Sequence, residues 1–320
     1  MQATLTPVAV VGAGALGCLF GGMLARAGTA VTLIGRATHV TAIRQDGLVL
    51  ESGGGKQTIS LAATEDMSAV RGAGLVLFCV KSSDTEAAAR AMAPYLSADT
   101  VVLSLQNGVD NVERIRAQIR TDVDRMIFTG LVYEAAQMAG PGHVRRTGGS
   151  GVVIGELTAY RRADGGNRTM LDTIATLFTS AGAQMRVSDE VEVELWTKLV
   201  MNCAYNAISA LGGAPYGEMV ALAEIRTLMG DAVREVVAVA AAKGIRLPED
   251  IVAAAIKLAD GMPMQISSTA QDIRRGRPTE IDHLNGYVVR AGAALGMATP
   301  VNRTLNALIK LLERRSAASV

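Results

Sequence analysis

The chain has 320 residues, enough for one large domain or two ordinary ones, each with a substantial core. Its 31 Lys and Arg balance 30 Asp and Glu, so no net field attracts nucleic acid or an anionic membrane, and an aromatic content of 3% argues against base-stacking surfaces. The start, MQATLTPVAVVGAGALG, lacks the charged region and cleavage pattern of a signal peptide, and glycines break its apolar run short of a bilayer span; a soluble cytoplasmic protein is expected.

Short apolar runs at residues 8–11, 30–34, 75–80 and 101–105 have the length and composition of buried parallel strands. Helical segments at 15–27 and 84–92 lie between them, and the alternation predicts an α/β Rossmann-type fold with a doubly wound parallel sheet. Runs at 47–51 and 57–61 flank Ser52-Gly53-Gly54-Gly55 and read as a hairpin inserted into the alternation. Strand-like patterns continue at 126–133 and 143–156, with turns expected at Gly140-Pro141-Gly142 and Gly148-Gly149. The pattern changes near Ser188. Asp189 with Glu192 three residues on resembles a capping box, opening a helix that runs to Gly212-Gly213. The remainder is helical, with breaks at Gly244, Pro248, 261–263, Pro278 and Pro300. Two domains are expected: 1–188, a Rossmann-type domain, and 189–320, an all-α domain. The small-residue helix at 233–242 reads by default as domain core, with the interface of a homodimer as the alternative. Cys18, Cys79 and Cys203 match no metal or disulfide spacing and are expected to be buried as small apolar residues; no metal site is expected.

Gly12-Ala13-Gly14-Ala15-Leu16-Gly17 is a G-x-G-x-x-G between the first strand and the first helix. The first glycine permits the tight turn, the second lets backbone approach a pyrophosphate, and the third lets helix and strand pack closely, with phosphate at the helix N-terminus. At the end of the second strand, where an acid would bind a ribose 2′-hydroxyl, the chain reads Leu33-Ile34-Gly35-Arg36. Arg36 can pair with a 2′-phosphate, and Lys81 adds a second positive charge after another strand, which favours NADPH over NADH. Gln106-Asn107-Gly108 falls at the carboxyl edge of the same sheet, where Asn107 can serve a ribose or nicotinamide or form an ordinary Asn-Gly turn.

Lys198, Asn202 and Asn206 are spaced by four on one helical face, drifting about 40° per step over roughly 12 Å. Their neighbours Leu199, Val200, Met201, Cys203, Ala204 and Ile208 are apolar, so the three polar side chains need partners or a polar cleft. Reduction of a ketone also needs a proton for the oxygen. Of the three histidines, His39 follows the second strand, His143 reads as a structural residue in a turn, and His283 neighbours Glu280. Lys198 can protonate a developing alkoxide and stabilise it by charge. Glu280 opens a helix after Arg277-Pro278-Thr279, where a carboxylate also fits as a cap; Ser267-Ser268 can bind a carboxylate or cap a helix.

Taken together, the glycine loop, Gln106-Asn107-Gly108, Lys198-Leu199-x-x-Asn202-x-x-x-Asn206, Ser267-Ser268-x-x-Gln271-Asp272 and Thr279-Glu280-Ile281-Asp282-x-x-Asn285-Gly286 resemble the ketopantoate reductase (2-dehydropantoate 2-reductase) family. The resemblance spans nearly the whole chain. It implies NADPH-dependent reduction of 2-dehydropantoate to (R)-pantoate, on the way to pantothenate and coenzyme A. It also implies that Lys198 is the proton donor, with Glu280 orienting it and touching the bound ligands. By the same resemblance Asn202, Asn206 and Ser268 hold the substrate, Asn107 sits where cofactor and substrate meet, and Ala136 offers backbone contact to the cofactor. Two positions depart from the family pattern: Tyr216 and Gln265 stand where asparagines are expected, and Tyr216 does not preserve the amide. The expected enzyme works in a cleft between its two domains on a small 2-oxo acid. The alternatives are a reductase of another branched 2-oxo acid and a non-catalytic NADPH-binding regulator, which has no need of Lys198 and Glu280 together.

Overall fold

The computed structural model describes residues 5–119, 126–161 and 167–318, so the first four residues of the apolar start lie outside the described chain. The chain divides into two compact units, Met1–Val191 and Glu192–Val320.

The first unit alternates as the apolar runs dictate: β1 (Val8–Val11), α1 (Ala15–Arg26), β2 (Val31–Ile34), α2 (Ala37–Asp46), β3 (Leu48–Ser52), β4 (Gly55–Ile59), β5 (Ala62–Thr64), β6 (Leu75–Phe78), α3 (Thr85–Met92), β7 (Val101–Ser104), α4 (Asn111–Arg116), β8 (Ile127–Gly140), β9 (His143–Gly155), α5 (Arg168–Ser180) and β10 (Met185–Val187). Strands β1, β6 and β7 are buried at every position, as expected of a sheet covered on both faces. The sheet runs β4-β3-β9-β8-β7-β6-β1-β2-β5, with β10 beside β9. From β5 to β8 all neighbours are parallel, and the order reverses at β1, which lies between β2 and β6. Ligands bind at the carboxyl ends of strands at such a reversal. The sheet is mixed rather than purely parallel, because β3–β4 and β8–β9 pair antiparallel.

The expected hairpin forms, with Gly53 and Gly54 at φ +60° and +81° turning the chain in two residues. It does not extend the sheet beside β2. It crosses to the far edge, where β3 pairs with β9. Gly148-Gly149 is not a turn: both residues lie inside β9, with an extra β9 residue on either side of the pair relative to β8. A Cβ on Gly149 would come within 2.5 Å of Glu134 Cα, so close strand approach accounts for that glycine. The expected helix start at Asp189 also moves. Helix α6 (Val191–Gly212) begins two residues later; Ser188 Oγ accepts the Glu190 N–H at 3.1 Å, and the Asp189 carboxylate engages Arg168 at 3.3 Å.

The second unit is helical: after α6 come α7 (Tyr216–Ala221), α8 (Ala223–Ala242), α9 (Ile251–Gly261), α10 (Ser268–Arg274), α11 (Asn285–Ala294) and α12 (Pro300–Ala318). Helix α8 buries Met229, Ala232, Val233, Val236, Val239 and Ala240, so the small-residue stripe is core. Pro300 is the first residue of α12, where its missing N–H costs nothing, and the Glu235 carboxylate accepts the N–H groups of Val301 and Asn302 beside it. Cys18 and Cys203 are buried and Cys79 is half-buried. Among the described residues no helix is long and apolar enough to cross a membrane.

Candidate active site

The three loop glycines answer to different constraints. Gly12 has φ +111°, and a Cβ there would lie 2.7 Å from the Cys79 carbonyl carbon and the Val80 nitrogen, just past β6. A Cβ on Gly17 would lie 2.0 Å from the Gly12 oxygen. Gly14, the N-cap of α1, would place its Cβ with nothing within 4 Å. Packing therefore requires the outer two glycines, and open space lies in front of the middle one. Helix α1 has no side-chain cap and no acid in its first turn, so its N-terminal N–H groups and dipole suit an anion. Ala13 is buried, and its Cβ lies 2.4 Å from where Gly35 would carry one; Ala15 and Leu16 open the helix half-buried.

The neighbouring loops are tied to one another. Gln106 Nε2 donates to the Val80 carbonyl at 3.1 Å and to Thr85 Oγ1 at 2.8 Å, joining the segments after β6 and β7. The Asn107 carbonyl accepts Ser82 Oγ at 2.8 Å and Asn111 Nδ2 at 2.7 Å. Gln106 is thus a positioning residue that the sequence reading did not assign; its place directly before Asn107 was the available signal. Lys81 precedes the turn at Ser82–Asp84, and Arg36, 86% exposed, precedes α2 with Asp84 3.6 Å away. Such an exposed pair is weak and leaves the guanidinium available.

In the second unit, Lys198 is half-buried on α6. Burial pulls its ammonium down to about 8, and the charge of Glu280 works in the opposite direction. Asn202 is half-buried and Asn206 is 3% exposed, and neither side-chain amide has a hydrogen-bond partner among the described residues. Two amides at four-residue spacing on one helix face thus keep their hydrogen-bonding capacity. The Asn206 carbonyl, by contrast, accepts Ser267 Oγ at 3.1 Å, and Ser267 Oγ also caps α10 by accepting the Ala270 N–H at 3.1 Å. Ser268 is the exposed first residue of α10. Glu280 precedes the turn at Ile281–His283 and makes no side-chain cap there, so capping does not account for it.

The chain matches the family model "Ketopantoate reductase PanE/ApbA" over residues 8–159 and its C-terminal companion over residues 190–313. The chain belongs to the ketopantoate reductase family. It is therefore an oxidoreductase. It is 35% identical to the 2-dehydropantoate 2-reductase of Halobacterium salinarum, over 96% of this chain and 99% of that one, and 31% identical to that of Pyrobaculum aerophilum, over 95% and 97%. Among solved structures, a PanE/ApbA family ketopantoate reductase from Ralstonia eutropha JMP134 superposes with a TM-score of 0.87 at 47% identity, covering 97% of this chain and 99% of that one. D-mandelate dehydrogenase with NADH and anilino(oxo)acetate superposes with the same TM-score at 26% identity and the same coverage.

In this ketopantoate reductase family member the two departures from the family pattern are neighbours: the Tyr216 N–H donates to the Gln265 carbonyl at 3.0 Å. Ala136 lies within β8 opposite Arg146, its side chain packed on the core of the first unit. His39 Nδ1 accepts the Gly142 N–H at 3.4 Å. His143 is the first residue of β9 rather than a turn residue, and its Nε2 meets Glu51 at 2.8 Å. Both imidazoles serve the structure of the first unit.

Proposed function

We propose that this chain reduces 2-dehydropantoate to (R)-pantoate with NADPH. The reading is supported by family membership and by full-length relatives that carry that activity in their names. The open space before Gly14 and the uncapped N-terminus of α1 fit a dinucleotide pyrophosphate held by Gly12, Ala13, Gly14, Ala15, Leu16 and Gly17. Arg36 and Lys81 take the 2′-phosphate. Asn107, the Ala136 backbone and Glu280 complete the cofactor contacts. When bound, the nicotinamide supplies a hydride to the keto carbon.

The chain's own part is to hold the acid and supply the proton. Asn202, Asn206 and Ser268 bind the substrate's carboxylate and hydroxyl groups, and Asn107 joins them near the reacting centre. Lys198 Nζ gives its proton to the keto oxygen as the carbon is reduced, and its charge stabilises that oxygen beforehand. The neutral amine then regains a proton from solvent. Glu280 favours the protonated lysine. The single observation that carries the reading is Lys198 itself: a half-buried ammonium brought down to about 8, on the same helix face as two amides without hydrogen-bond partners among the described residues. A group with that value is still charged at neutral pH and gives up its proton far more readily than an exposed lysine.

The test is NADPH absorbance with 2-dehydropantoate, repeated with NADH. Rapid oxidation of NADPH, with NADH a poor substitute, is expected; no oxidation of either cofactor contradicts the proposal.

A further inference from the structure

The segments that follow β6 and β7 carry Lys81 and Asn107, and one arginine ties them together. Arg114 lies on α4 with its side chain 15% exposed. Its guanidinium makes a two-pronged pair with Glu86, in the first turn of α3, through Nε to Oε1 and Nη2 to Oε2, both at 2.7 Å. The same Nη2 donates to the Ser82 carbonyl at 2.6 Å, and Nη1 donates to Asn111 Oδ1 at 3.3 Å. The Ser82 carbonyl also accepts Thr85 Oγ1 at 3.0 Å, and both of these residues are fully buried. A lysine, with one nitrogen, cannot bridge a carboxylate, a carbonyl and an amide in this way; the contacts need a planar fork with donors in fixed directions.

What the fork holds is the turn Ser82–Asp84. Lys81 stands directly before that turn, and Asp84, at its other end, meets Arg36 at 3.6 Å. The Arg36–Asp84 pair is exposed and too weak to fix the turn by itself, whereas the Arg114 contacts are largely shielded from water. We infer that Arg114, anchored by Glu86, is a positioning residue for the 2′-phosphate end of the cofactor: it sets the preference for NADPH over NADH by holding the turn next to Lys81, not by contact with the phosphate. This rests on the NADPH reading above. A cation held in place before binding has no ordering cost to meet when the phosphate arrives, and NADH, which lacks that phosphate, gains nothing from it.

The test measures dissociation constants for NADPH and NADH by cofactor fluorescence, on the full chain without oxo acid, for wild type, R114Q, K81M and the double variant. R114Q is expected to weaken NADPH by about tenfold or more and NADH by less than about threefold, and in the K81M background to weaken NADPH by less than about threefold further. Equal losses for both cofactors in R114Q, or an NADPH loss undiminished in the K81M background, mean a general packing role and overturn the inference. Glu86 is 40% exposed, so E86Q tests the anchor even where R114Q fails to fold. E86Q is expected to lower the preference for NADPH by about threefold or more, and an unchanged preference in E86Q overturns the inference. Equal binding of NADPH and NADH by the wild-type chain overturns the NADPH reading as well; a wild-type preference for NADPH that R114Q keeps leaves that reading intact and overturns the inference alone.

Discussion

Glu280 and burial pull Lys198 in opposite directions: burial brings the ammonium down to about 8, and the carboxylate keeps it from falling further. A free-enzyme group that must be protonated appears as an alkaline limb in kcat/KM. The rate profile is therefore expected to be level below about 8 and to fall tenfold per pH unit above it. Replacing Glu280 by Gln removes the opposing charge, so the limb moves to lower pH. A limb unmoved in E280Q would separate the two residues.

The same group makes stability depend on pH. Lys198 has a folded value near 8 against an ordinary value of 10.5, so between these the unfolded chain binds more protons and stability rises with pH. Below about 8 the whole cost of burying the charge is present. Lys198→Met removes that cost and is expected to stabilise the protein at pH 7 by on the order of 1–3 kcal/mol. The gain should fade as pH approaches 10.5. Thermal melts of both proteins across that range give the comparison.

The glycine loop offers a cleaner separation of fold from binding. Gly14→Ala adds a Cβ that meets nothing within 4 Å, at a φ of −87° that alanine adopts freely. Its melting temperature should match wild type while its NADPH affinity falls at least tenfold on the order expected when backbone can no longer approach a pyrophosphate. Gly17→Ala, with its Cβ 2.0 Å from the Gly12 oxygen, should lose stability first. Cofactor fluorescence titration beside thermal denaturation distinguishes them.

Adjacent serines should behave differently. Ser267 caps α10 and holds the Asn206 carbonyl, so Ser267→Ala is expected to cost about 1–2 kcal/mol in urea unfolding. Ser268 is exposed at the first position of α10, and Ser268→Ala should change stability by less than about 0.5 kcal/mol while raising KM for the oxo acid.

What could be read from residues alone follows from where the signals are local. The buried strands β1, β6 and β7 are four-residue apolar runs, and the glycine loop sits between one of them and a largely buried helix, so both were visible in sequence. The hairpin was visible as a hairpin, but its pairing with β9 joins residues about 94 apart, which no local pattern encodes. Gly148-Gly149 misleads because a bulge and a turn ask for the same residue. Helix α5 and strand β10 went unread, although Leu171, Ile174 and Phe178 form a buried stripe at helical spacing. The shared α6 face of Lys198, Asn202 and Asn206 was legible because their spacing is intrahelical. A helix cap was one of the two readings open for Ser267-Ser268 and is local, but the Ser267 bond to the Asn206 carbonyl and the Tyr216–Gln265 bond were not legible, because each depends on tertiary approach.

Lys198→Ala is the most direct test of the account, measured as kcat with 2-dehydropantoate alongside NADPH binding by fluorescence. The account predicts a loss of about 10²–10⁴-fold in kcat with cofactor affinity unchanged. Turnover near the wild-type rate in a folded, NADPH-binding K198A protein would contradict it.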